Sequence, residues 1–164
     1  MAVCDTDIDF GKFLAVSWAS GCGSDDQTAL SYKPVGVTQS KSLDESSTEV
    51  DTTNDDSGAE METALTRMSA EITVSGFNSL KDTVTTSQKE LRAYRRTELS
   101  AGRQPTMWLK FVEQNGLDNI FVFVIFTGNT RSFGTDDANT AEFSFKMIST
   151  GVSGKAAWIE VAKV

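Results

Sequence analysis

Asp51, Thr53, Asp55 and Glu62 fall at relative positions one, three, five and twelve of one stretch, the spacing of oxygen ligands in a calcium loop. Such a loop needs a Gly at position six for its sharp turn. Asp56 stands there, and Gly58 comes two residues late. No pair of helices is expected on its flanks. The stretch therefore reads as a solvated acidic segment rather than a metal site. The second chemical candidate, "GVSGKAAW", places Lys155 after Gly154, but Ala156 occupies the position where a phosphate-binding loop needs Ser or Thr. The chain has no His, so no Ser–His–Asp or Cys–His arrangement can form. General acid–base catalysis draws on His most often. A carboxylate-based hydrolase stays open in principle, but the sequence nominates no buried acid pair. Neither catalytic residues, a cofactor nor a metal is expected.

The acidity is local. Lys41–Glu62 holds eight acids (Asp44, Glu45, Glu49, Asp51, Asp55, Asp56, Glu60 and Glu62) and one base, Lys41. That is −7 out of a formal −8 for 164 residues, so the remaining chain is nearly neutral. An acidic balance argues against a nucleic-acid-binding surface, which needs cations to displace counterions from phosphates. A second charge cluster, Arg92, Arg95 and Arg96, lies in the basic run from Lys89 to Arg103. It is interrupted by Glu90 and Glu98 and has no aromatic ladder for stacking bases. One reading joins the two anomalies, with the arginines of one copy receiving the acidic segment of another.

The elements that position these groups follow from periodicity. Residues 1–11 read as a polar arm. Leu14, Val16 and Trp18 alternate as a strand over Lys12–Ala19, and "GCGS" after it reads as a turn. Ala19-Ser20-Gly21 before Cys22 looks like the end of a lipoprotein signal, but Asp5, Asp7 and Asp9 precede it against one Lys12. Cys4 and Cys22 read as two reduced thiols. Leu30–Thr38 reads as an edge strand broken by Pro34 and Gly36. Residues 41–68 read as a long acidic loop, and Ser69–Ser75 as a strand. Asn78–Ser100 reads as a helix capped by Asn78 or Ser79, with Leu80, Val84, Leu91 and Tyr94 on its apolar stripe, the arginines near its end and Gly102 stopping it. Thr106–Glu113 and Ile120–Thr127 flank "QNGLDN" as a hairpin, the second strand being apolar on both faces and hence central. Residues 131–140 read as a loop. Ala141–Thr150 buries Phe143, Phe145 and Met147, and Ala157–Val164 forms a last strand. The longest apolar run, Ile120–Phe126, falls far short of the ~20 residues of a spanning helix. The sum is one mainly β domain over 1–164: an antiparallel β-sandwich or partial barrel of six or seven strands with one flanking α-helix.

"YKPVGVTQSKSLDESSTEVDTTNDDSG" followed by "SAEITVSGF" resembles the major tail tube proteins of long-tailed bacteriophages. That family shows a stretch ending in Val-Asp-Val-Thr-x-x-Asp-Ser-Gly, then a strand closing in Ser-Gly-Phe. Here Val50-Asp51 leads, Thr52 stands where Val is usual, Thr53 follows, and Asp56-Ser57-Gly58 closes the stretch. The likeness is close over residues 30–80 and looser over the helix and "AEFSFKMISTG". It implies a structural virion protein without catalysis. Its copies would form hexameric rings whose inner sheets join into a barrel, and the rings would stack into the conduit through which the genome leaves. The implied partners are the chain itself, a tape measure and a terminator, with DNA passing unbound and no membrane involved. Assembly in the host cytoplasm is implied too.

The same resemblance implies that Asp44, Glu45, Glu49, Val50, Asp51, Thr52, Thr53, Asp55, Asp56, Ser57 and Gly58 belong to a loop that docks onto the next ring. Thr48, Val50 and Thr52 keep enough β character for it to pair as a strand there. The alternative is a β-sandwich ligand-binding or adhesin module of a virion or cell surface, its pocket lined by Trp108, Trp158 or Tyr32.

Overall fold

The computed structural model describes residues 14–52, 63–79, 81–113 and 118–162. Its elements run β1 (Leu14–Ser20), β2 (Lys33–Pro34), β3 (Thr38–Asp51), β4 (Thr63–Phe77), α1 (Gln88–Ser100), β5 (Thr106–Glu113), β6 (Asp118–Ser132), β7 (Thr140–Met147) and β8 (Trp158–Ala162). The strands pair antiparallel in the order β2-β1-β5-β6-β7-β4-β3, with β8 added beside β6. The fold is the expected mainly β one with a single flanking helix, built from eight strands among the described residues.

β6 organises it. One edge pairs with β5, from Thr106↔Ile125 to Val112↔Asn119. The other edge is shared: β8 takes Asp118–Val122 and β7 takes Val124–Ser132. Both faces of β6 are covered, as the unbroken apolar run requires. Val122, Val124 and Phe126 enter a large core with Trp18 of β1, Leu109 and Phe111 of β5, Phe143 and Phe145 of β7, Ile72 and Val74 of β4, and Leu91 of α1. Strands from both ends of the sheet order thus share one core, so the sheet folds over on itself. Phe121 and Phe123 face the other way, with Trp108, under Tyr32, Ile148, Ile159 and Val161.

Three sequence expectations need correction. The helix begins at Gln88, not Asn78. Thr83-Val84-Thr85-Thr86 is a β-branched run that loses side-chain freedom in a helix, and Thr83 and Thr86 instead close a turn. Ser87 holds the N-cap position without capping, because its hydroxyl accepts from Trp18 Nε1 (2.8 Å) and donates to Pro34 O (2.7 Å). The Asp82 carboxylate serves the helix start instead, accepting from the N–H groups of Lys89 and Glu90 at 2.9 Å each. Leu91 and Tyr94 keep their place on the apolar side, whereas Val84 is exposed and Leu80 lies outside the described residues. The later start brings Arg92 and Arg95 into the middle of a shorter helix, and no basic residue occupies the last turn.

Second, the expected loop 41–68 is strand at both ends. β3 and β4 pair continuously from Thr38↔Gly76 to Asp51↔Thr63; residues 53–62 lie outside the described set. Third, the Leu30–Thr38 strand is broken: Lys33–Pro34 pairs with β1 at the sheet edge, while Thr38 opens β3 against β4, and Arg131 and Ser132 extend β6 into the expected loop.

Gly102 ends α1 as expected. With φ +70° it closes a paired cap: Gly102 N–H donates to Leu99 O (3.1 Å) and Arg103 N–H to Glu98 O (2.9 Å). A Cβ at Gly102 would meet nothing within 4 Å, so Gly102→Ala suffers only the left-handed backbone penalty. That penalty is about 1–2 kcal/mol. At about 2–4 °C per kcal/mol for a chain of this size, thermal denaturation should show a drop of about 2–8 °C.

Candidate assembly surfaces

β4 pairs with β7 only from Glu71↔Lys146 to Phe77↔Thr140. Beyond that point β3 and β4 pair only with each other, from Glu45↔Ala70 to Asp51↔Thr63, with a bulge at Thr48/Glu49. The result is a two-stranded ribbon projecting past the body. Such a ribbon is marginal alone in water. Glu45, Glu49, Val50 and Asp51 lie on its β3 side with Asp44 at its root, and all are exposed. Thr52 follows β3 directly and is exposed as well; Thr53, Asp55, Asp56, Ser57 and Gly58 lie outside the described residues. Asp51 is therefore a strand residue opposite Thr63, not the opening ligand of a helix-flanked calcium loop. On the β4 side Leu65 is 68% and Met68 53% exposed.

The near-body half of the same sheet has a second character. Its solvent face carries Ser40, Ser42 and Asp44 of β3, Glu71, Thr73 and Ser75 of β4, Thr140, Glu142, Ser144 and Lys146 of β7, and Thr130 and Ser132 of β6, aligned row by row. Hydroxyl groups dominate, with three acids against one base. Alternation of Phe143 and Phe145 with Glu142, Ser144 and Lys146 reveals one strand of this face in the sequence; the alignment of four strands does not follow from it.

The arginines converge at the end of β6. A hollow of about 120 Å³ is lined by Arg92, Arg95, Arg96, Asn129 and Arg131. Asn129 pairs with Phe143 and Arg131 with Ala141, both core-facing, so these two side chains sit on the α1 side of the sheet. Arg92 is buried and donates to Asn78 Oδ1 (3.3 Å) and Ser79 O (3.1 Å). Arg95 donates to Thr127 O (3.0 Å) and lies over the Phe126 ring. Among the described residues no carboxylate is within ion-pair distance of these four arginines, whereas Lys33–Glu90, Arg103–Glu98 and Lys146–Glu71 do form ion pairs. Burial, then the charges of Arg131 and Arg96, push the Arg92 pKa down, opposed by Asp82. The amide Oδ1 of Asn129 is buried without a hydrogen-bond partner. Sequence reasoning finds three of these arginines and misses Arg131 and Asn129, which join them only through the pairing of β6.

The aromatics of the adhesin alternative are internal or edge-bound. Trp108 is fully buried, donates to Cys22 O (3.1 Å) and tilts against Phe123. Tyr32 covers Phe121 and donates to Gln27 O (2.7 Å); burial raises its phenol pKa. Trp158 donates to Glu160 Oε1 (3.0 Å). Lys155, the residue of the rejected phosphate loop, donates to Asp25 O and lies over Trp108. Among the described residues no three His, Cys, Asp or Glu side chains come together as a metal site.

No protein-family model matches this sequence, and no curated protein matches it. Solved structures do. The tail of an empty gene transfer agent particle, refined helically with C6 symmetry, superposes with a TM-score of 0.63 at 18% identity over 94% of this chain and 100% of that one. The SPP1 tail tube gives 0.63 at 13% identity, over 96% of this chain and 81% of that one. A protein in the sheath/tube terminator assembly of an extracellular contractile injection system gives 0.57 at 14%, over 98% and 100%. Likeness this complete at identity this low resides in the architecture, and by it the chain has the fold of the tail tube proteins.

Proposed function

We propose that this chain is a structural virion protein without catalysis, the subunit of a phage tail tube. The observation that carries the reading is the β3–β4 ribbon: a paired, polar, projecting element with exposed Leu65 and Met68 that, among the described residues, pairs with no strand of the body. A monomer gains little from it, since an isolated hairpin is marginal. A neighbouring copy supplies the missing contacts. Asp44 to Gly58 then act as the docking segment, with the strand portion pre-formed and the acids keeping free subunits apart.

The sheet's ends support lateral assembly. β3 and β2 close the strand order, and edge strands invite pairing with another chain unless blunted. Hexameric rings joined through these edges and stacked through the ribbons would give a continuous barrel. The hydroxyl-rich face of β3, β4, β7 and β6 suits its inner wall: it offers DNA polar contact without the cations that would hold phosphates. Genome ejection, a tape measure inside, a terminator at the end and assembly in the host cytoplasm complete the reading.

Negative-stain microscopy of concentrated purified protein tests it. Hollow filaments of stacked rings are expected; uniform small particles at every concentration would exclude the tube.

A further inference from the structure

We infer that Arg92, Arg95, Arg96 and Arg131, with Asn129, form the socket that receives the acidic ribbon of a second copy, and that their placement makes the contact head-to-tail. The inference rests on the tail-tube reading and deepens it by naming the receiving residues.

Two observations carry it. The first is charge in excess of its answer: among the described residues Asp82 is the acid that acts on Arg92, and its carboxylate is engaged by the N–H groups of Lys89 and Glu90. Four guanidinium groups share one hollow, and among the described residues none has an ion-pair partner. Like charges brought together are destabilising unless an anion joins them. Arg92 and Arg95 are already oriented by hydrogen bonds to Asn78 Oδ1, Ser79 O and Thr127 O, so their guanidiniums are fixed before any partner arrives. Arg96 and Arg131 stay exposed beside them. A half-turn of the Asn129 amide would present its NH₂ to an incoming carboxylate in place of an unpartnered oxygen.

The second is polarity. Asn129 and Arg131 align through β7 with Val74 and Gly76, at the body end of β4. Glu49 and Asp51 align with Leu65 and Thr63, near the far end of the same strand. From Leu65 to Gly76 the chain advances about 36 Å at about 3.3 Å per residue. A ribbon cannot fold back over that distance to reach its own socket while it stays paired. Between described residues 45 and 51 it carries Glu45, Glu49 and Asp51, against Arg67 on the facing strand. Complementary charges at opposite ends of one rigid strand are satisfied by a copy placed end on. That copy leaves its own ribbon and socket open at the far ends, which is the condition for an open-ended stack.

Charge reversal in two places tests this with purified full-length protein. Arg96→Glu/Arg131→Glu is chosen because both residues are exposed, and a circular-dichroism melt within a few degrees of wild type verifies folding. This variant and Glu45→Lys/Glu49→Lys should each raise the critical concentration for tubes, read by sedimentation, about tenfold or more. The combined four-residue variant should recover most of the polymer. Wild-type tubes with an unaffected Arg96→Glu/Arg131→Glu variant, or a combined variant that fails to recover, would overturn the socket alone. Wild-type protein that never forms tubes removes the tail-tube reading and the socket with it. A fluorescent single-stranded oligonucleotide separates the remaining case: binding that is lost in the arginine variant while tubes form normally would assign the cluster to nucleic acid and overturn the inference.

Discussion

Replacing residues 46–69 by Asn-Gly should abolish tube formation and leave the melting temperature almost untouched. Glu45 and Ala70 are direct partners across β3 and β4. A two-residue Asn-Gly turn has the twist that joins such a pair. Beyond that pair, among the described residues, the two strands bond to each other rather than to the body. The core residues Ile72 and Val74 remain on the shortened β4, with their β7 partners. Among the described residues, removal therefore takes away no buried apolar side chain from the monomer. A change in melting temperature within about 3 °C, near 1 kcal/mol for a chain this long, is the expected size. Sedimentation should find only monomer or single rings at concentrations where wild type is polymeric. Normal tubes from this variant would show that stacking uses another surface. A fall of 10 °C or more would mean that the ribbon belongs to the cooperative unit of the isolated chain.

The opposite behaviour is expected of Gln88→Leu, a large loss of stability at a buried polar side chain. Gln88 is 1% exposed and ties three segments together. Its Oε1 accepts from Ser79 N–H (2.9 Å), and its Nε2 donates to Gly36 O (3.1 Å) and Phe77 O (3.0 Å). These join the β2–β3 connection, the end of β4 and the start of α1. The connection is strained: Gly36 has φ +71° and Val37, a β-branched residue, has φ +53°. Gly36 also lies so close to Thr85 and Thr86 that a Cβ would meet Thr85 O at 2.3 Å. Val37 is held there by accepting from Phe77 N–H at 3.1 Å. Leucine matches the size of glutamine but answers none of the three backbone groups. Each such group left without a partner costs about 1–3 kcal/mol. A loss of about 3–5 kcal/mol, on the order of 10 °C or more in thermal unfolding, is expected. A loss below about 1 kcal/mol would mean that Gln88 only fills space.

Short-range pattern determines much of this molecule. The run Ile120–Phe126 declared a strand covered on both faces, because every residue in it is too apolar for a solvated side. Phe143, Phe145 and Met147 declared a one-sided strand by alternation, and Gly102 a helix stop by its freedom at positive φ. Even the resemblance that pointed to the tail tube fold lies in a short ordered stretch, Tyr32 to Phe77. What the pattern could not supply was anything decided by a distant partner. Glu45 to Asp51 carries no apolar alternation, since a ribbon with two wet faces needs none, and only its pairing with β4 makes it strand. The helix start moved ten residues because Asp82 folds back onto two free N–H groups and Trp18 claims the hydroxyl of Ser87. Arg131 joins Arg92, Arg95 and Arg96 only because β6 runs on past its core segment to lie beneath α1. Charge and period are properties of neighbours in the chain, whereas caps, ribbons and the meeting of like charges depend on which strands pair, and that is settled by the burial of the whole core.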